Sequence, residues 1–169
     1  MDPILDKARA GQNQLEHIAN AIPGFQGYRE RELRRDADRL QREHLAKRLE
    51  ECKRSLNDLA GAATRGGGLD VINDIETARK RLDKVVSRIR YADRGYSGFF
   101  DAVKLDEAVL ARLYEFDMAL LGGVDDVRAA AQAGGGAAET KAAVQAMTAR
   151  IDALDVRLGE REAILSGVR

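Results

Sequence analysis

Apolar residues recur along this chain every three or four positions, in five stretches separated by glycine-rich breaks. That period belongs to helices, and strand-like alternation is absent throughout. In the first stretch Ile4, Ala8, Leu15, Ile18 and Ile22 share a face, with Asp2 placed to cap the helix and Pro3 to occupy its first turn. The segment Pro23-Gly24-Phe25-Gln26-Gly27 reads as a turn. A second helix is expected from about Tyr28 to Ala60. Its apolar positions, Leu33, Ala37, Leu40, Leu45, Leu49, Cys52, Leu56 and Leu59, step by 4, 3, 5, 4, 3, 4 and 3, a seam with one slip near His44. At 1.5 Å per residue such a helix is roughly 50 Å long. Gly61 and the run Thr64-Arg65-Gly66-Gly67-Gly68 are expected to form a loop.

A third helix should begin near Asp70 as N-cap and end near Ala92, with Ile72, Ile75, Leu82, Val86 and Ile89 as its stripe and Ala78 and Arg79 filling the gap. A glycine-punctuated turn follows, Asp93 to Gly98, and then Phe99-Phe100. The fourth helix is expected from Asp101 or Asp106 to Ala133, carrying Leu105, Val109, Leu113, Phe116, Leu120, Val124 and Val127. Gly122-Gly123 sits inside it, costs about 2 kcal/mol relative to alanine, and is expected to kink or split it. After Gly134-Gly135-Gly136 the fifth helix runs from about Ala137 to Leu165 on Val144, Met147, Ile151, Leu154, Leu158 and Leu165.

Short connections between long helices give antiparallel neighbours. The fold expected is all-α: an elongated antiparallel bundle of four to five long helices with coiled-coil-like packing, one domain over residues 1–169. With the first helix running upward, the glycine loops lie at the bottom. The 23–27 and 93–100 turns lie together at the top.

Composition narrows the functions. Lys plus Arg is 28 and Asp plus Glu is 28, a net charge of zero, whereas proteins that coat nucleic acid carry a basic excess. The segment Arg29–Arg54 holds ten basic and seven acidic residues, a mixture that supports an exposed helix rather than reading a groove. Nucleic acid is therefore not an expected partner. No signal peptide or run of about 18 apolar residues occurs, so the chain is expected in the cytoplasm. Cys52 has no second cysteine to pair with and falls in an apolar stripe, where a small buried hydrophobe is expected.

Active-site chemistry is not apparent. The only histidines, His17 and His44, lack a glutamate three residues earlier, so the Glu-x-x-His ligands of a di-iron bundle are missing. Asp125-Asp126 and Asp152 with Asp155 read as solvated pairs. No phosphate loop or nucleophile elbow is present. Asp117 interrupts an apolar cluster and is expected to pair with an arginine such as Arg79 or Arg112. No catalytic residue, metal site or cofactor is expected.

The top of the bundle stands out. Six of the eight aromatics lie there: Phe25, Tyr28, Tyr91, Tyr96, Phe99 and Phe100. With them come eight basic residues, Arg29, Arg31, Arg34, Arg35, Arg88, Arg90, Arg94 and Lys104, against four acids, Glu30, Glu32, Asp93 and Asp101. In one reading these residues plug the open end of the bundle, rings stacked with arginines. In the other they form a recognition surface, because Tyr and Arg are favoured interface anchors. On that second reading Phe25, Tyr28, Arg29, Arg31, Arg35, Arg90, Arg94, Tyr96, Phe99 and Phe100 would bind another protein, making the chain a non-enzymatic scaffold or interaction module. The alternative is a peripheral membrane protein whose basic and aromatic tip meets anionic headgroups. In architecture and composition, though in no motif, long hairpins of this kind resemble the membrane-remodelling helical proteins of the phage-shock type. Exposed seams could also support a homodimer.

Overall fold

The computed structural model describes residues 3–27, 34–65, 68–92, 107–132 and 137–167. Five helices account for nearly all of them: α1 (Pro3–Ala21), α2 (Arg34–Arg65), α3 (Leu69–Tyr91), α4 (Glu107–Ala131) and α5 (Ala137–Gly167). The fold is an all-α helical bundle. Asp2, Leu33 and Leu105 lie outside the described residues, as do the side chains of Ile4, Ala8 and Leu165. Otherwise the stripes read from the sequence face inward, apart from Val109 and Phe116 of α4, which are only partly buried and lie outside the apolar cluster. Ile18, Leu49, Leu56, Ile75, Leu82, Leu113, Leu120 and Met147 are essentially inaccessible to solvent, and all five helices contribute to one apolar cluster.

Two hairpins make up the bundle. In α2 and α3, Lys53 meets Asp83 and Asn57 meets Arg79, so the helices run in opposite directions. In α4 and α5, Asp117 meets Arg161 and Ala119 meets Arg157, again antiparallel. The hairpins lie side by side with like-directed helices in contact. Arg81 and Lys84 of α3 reach Asp152 and Asp155 of α5, each 71 residues ahead, and Arg48 of α2 reaches Asp125 of α4, 77 ahead. Thus α2 touches α3 and α4, and α5 touches α3, α4 and, across the diagonal, α2. Helix α1 packs on the outside against α4.

The turn after α1 locks this attachment. Gly24 and Gly27 have φ of 82° and 83°, which only glycine adopts without strain. A Cβ on Gly27 would stand 2.5 Å from the Tyr114 hydroxyl of α4 and 2.8 Å from Leu15 of α1. The missing side chain lets the turn enter between the two helices.

Four sequence expectations need correction. The slip near His44 does not exist. The buried seam of α2 continues toward its start through Leu45, Gln41, Asp38 and Arg34 in steps of four and three. It looked broken because those last three positions are polar. Helix α2 also continues past Ala60 through Gly61 to Arg65. Burial of Ala63 rewards the extra turn, Thr64 Oγ1 donates to the Ala60 carbonyl at 2.9 Å, and Gly68 N–H closes the end on Ala63 O at 2.9 Å. At the start of α3 the cap position is Gly68, with no side-chain cap. Asp70 instead lies in the first turn, where its negative charge interacts favourably with the positive end of the helix dipole.

Finally, Gly122-Gly123 neither kinks nor splits α4, which is continuous from Glu107 to Ala131. Gly123 is buried, and a Cβ there would lie 3.0 Å from Leu154 of α5. It permits close approach of the two helices, which offsets its poor helix propensity. Gly122 faces open space.

Candidate functional site

Of the residues expected at the tip, Tyr28, Arg29, Arg31, Arg94, Tyr96, Phe99 and Phe100, with Lys104, lie outside the described residues. The others divide. Phe25 is 5% exposed and belongs to the core, its N–H bonded to Ile22 O at 3.1 Å. Arg34 is buried, and Arg35 is exposed. Arg90 is exposed and donates to Glu50 of α2 at 2.6 Å. Tyr91, the last residue of α3, is 62% exposed.

Just beneath this end lies the main polar feature of the interior. Arg161 of α5 extends into the centre of the bundle. Its Nε donates to Asp117 Oδ1 of α4 at 2.9 Å, and its Nη2 donates to Asp38 Oδ1 and Gln41 Oε1 of α2 at 2.8 and 3.1 Å. The other oxygen of Asp38 accepts from Arg42 Nε at 2.7 Å. Arg42 then donates through Nη1 to the carbonyls of Ile89 and Arg90, near the C-terminus of α3. A cation there satisfies carbonyls that have no partner within the helix. Two arginines balance two aspartates, all nearly excluded from solvent, and four helices meet at them. A cavity of about 10 Å³ beside the cluster is lined by both arginines, Gln41 and Glu162 with Leu45, Ile89, Ala92, Leu120 and Leu158. That is room for about one water.

Asp117 therefore pairs with Arg161, not with Arg79 or Arg112. Arg79 sits on α3, which does not pack on α4, and is bonded to Glu76 and Asn57. Arg112 points to solvent. Asp38, Gln41 and Arg42 were missed because they fall inside the mixed-charge stretch expected to be an exposed face. The readable signal was their register. Asp38 and Gln41 continue the spacing of Leu45 and Leu49, Asp117 falls between Leu113 and Leu120, and Arg161 follows Leu154 and Leu158. Each position is one where the helix repeat asks for an apolar residue.

A second set of charges lies on the outside, along α3 and α5. Arg81 pairs with Asp152, and Lys84 with Asp155 at 2.7 Å. Arg88 holds Asp155 at 2.8 Å and Glu162 at 2.5 Å, and also donates to the Asp155 carbonyl. The Glu162 bond, against the cost of burial, raises the Arg88 pKa above its ordinary value. Burial pushes the Asp155 carboxyl up, but its bonds to Lys84 and Arg88 outweigh this and hold it below the usual carboxylate range.

Chemistry outside these ion pairs is sparse. Cys52 is buried, and burial pushes its thiol up to about 11, so it is protonated and unreactive near neutrality. His17 is exposed. His44 is half-buried, and burial with the nearby Arg48 lowers its pKa. Among the described residues no group of three or more His, Cys, Asp or Glu is placed to hold a metal ion, and no helix is long and apolar enough to cross a membrane. Comparison with protein-family models, curated proteins and solved structures gives no match.

Proposed function

We propose that this chain is a non-enzymatic helical scaffold that binds a partner protein through the end of the bundle bearing the 23–35 and 88–104 segments. The observation that carries this reading is Tyr91, a large aromatic left 62% exposed at the end of α3. Arg35 and Arg90 are exposed at the same end. Tyrosine and arginine on a rigid support make effective anchors, because little conformational freedom is lost on binding. The buried arginine–aspartate cluster provides that rigidity from below. The sequence adds further aromatics and arginines in the flanking segments.

The test is a Tyr91→Ala/Arg35→Ala double variant. Both side chains are exposed, so the variant should fold and melt like the parent. Proteins retained by the immobilised parent chain from its native cell should be held at least about tenfold more weakly by the variant. Equal retention by both sinks the reading. Vesicles of anionic lipid form the second arm: salt-sensitive binding that the variant loses would assign the same end to a membrane surface instead.

A further inference from the structure

The stripes of the four central helices could be buried in two ways. In one, α4 lies beside α3, every neighbour runs antiparallel, and α3 and α5 are diagonal. In the other, which this structure adopts, α4 lies beside α2 and α5 beside α3. Apolar burial is nearly non-directional and does not separate these choices. Chain connection does not separate them either, because the 15 residues between Tyr91 and Glu107 reach across or along the bundle with equal ease. Nor does the buried cluster, since α5 touches both α4 and α2 in either arrangement.

The external charges do separate them. Arg81, Lys84 and Arg88 meet Asp152, Asp155 and Glu162 only when α3 and α5 are neighbours, and Arg48 meets Asp125 only when α2 and α4 are. In the α3–α5 pairs the basic groups lie on α3 and the acids on α5, so the contact is complementary over residues 81–88 and 152–162. We propose that the α3–α5 charge ladder is a selector that fixes which face of the second hairpin docks on the first. It acts as charge patterns do in other helical assemblies, favouring one pairing among several of similar apolar content. Because its members are partly exposed, it is also sensitive to ionic strength.

The experiment measures distances in the full chain. Lys80 of α3, Asp126 of α4 and Ala149 of α5 are exposed at one level of the bundle and accept spin labels as cysteines in a Cys52→Ala background. The parent should give a single short 80–149 distance and a single long 80–126 distance. Reversing α5 with Asp152→Lys, Asp155→Lys and Glu162→Lys should create a second population, about a tenth of the molecules or more, with these lengths exchanged. Adding Arg81→Glu, Lys84→Glu and Arg88→Glu should remove it. The neutral set Asp152→Asn, Asp155→Asn and Glu162→Gln covers the case in which reversal prevents folding, and it should show the same second population. Parent distances alone in the folded variants overturn the proposal. So does loss of helix in both sets without any exchanged population.

Discussion

A charged residue in the interior costs several kcal/mol to desolvate, and only close partners offset that cost. Arg161 has Asp38, Asp117 and Gln41 within hydrogen-bonding distance, which is why it is tolerated where a leucine would be expected. Removing it takes one cation from a cluster of two arginines and two aspartates, and leaves a net negative charge buried with Arg42 as the remaining arginine. Arg161→Met should therefore lower unfolding stability by about 3–5 kcal/mol, even though methionine fills similar space. Urea unfolding followed by circular dichroism measures this, and a loss below about 1 kcal/mol would show that water reaches the cluster freely. The sequence revealed one member of the set. Asp117 stands out among apolar neighbours, whereas Asp38 and Arg42 are camouflaged by the charged residues around them. Burial is a property of neighbours in space, and composition along α2 does not report it.

Helix existence was legible from period alone, and helix ends were not. The stripes of α2, α3 and α5 face inward as expected, as does most of that of α4, and the residues added by the structure, Val71 and Val85 on α3 and Leu110, Tyr114 and Leu121 on α4, widen two of them. Widening follows from helices that touch two or three others instead of one. Glycine was overread as a breaker. At Gly61 and Gly123 tertiary burial overrides propensity, as it commonly does. The two adjacent glycines of α4 should consequently behave differently. Gly122→Ala meets nothing and should stabilise the protein by about 0.5–1 kcal/mol. Gly123→Ala presses on Leu154 and should lose about 1–3 kcal/mol through displacement of α5. Thermal melts of the two variants should shift in opposite directions.

For the molecule as a whole, Cys52 links stability to alkaline pH. Its thiol holds its proton to about 11 when folded, against an ordinary value of 9.0. Between these values the unfolded chain releases a proton that the folded chain keeps, so the unfolded state binds fewer protons and stability falls as pH rises. Below pH 9 the full contribution is present. Urea midpoints of the parent should drop more between pH 8 and 10.5 than those of Cys52→Ala. Equal drops would mean that the thiol is solvated in the folded state.

The buried cluster also bears on the order of assembly. The contacts within each hairpin join residues 22 to 48 apart, whereas Arg161 and Asp38 are separated by 123. Loop-closure entropy favours the nearer pairings first. By then α2 already carries Asp38 with Arg42, and the α4–α5 hairpin carries Asp117 with Arg161. Each half arrives with its own neutral pair, and docking requires neither to bring an uncompensated charge into the core.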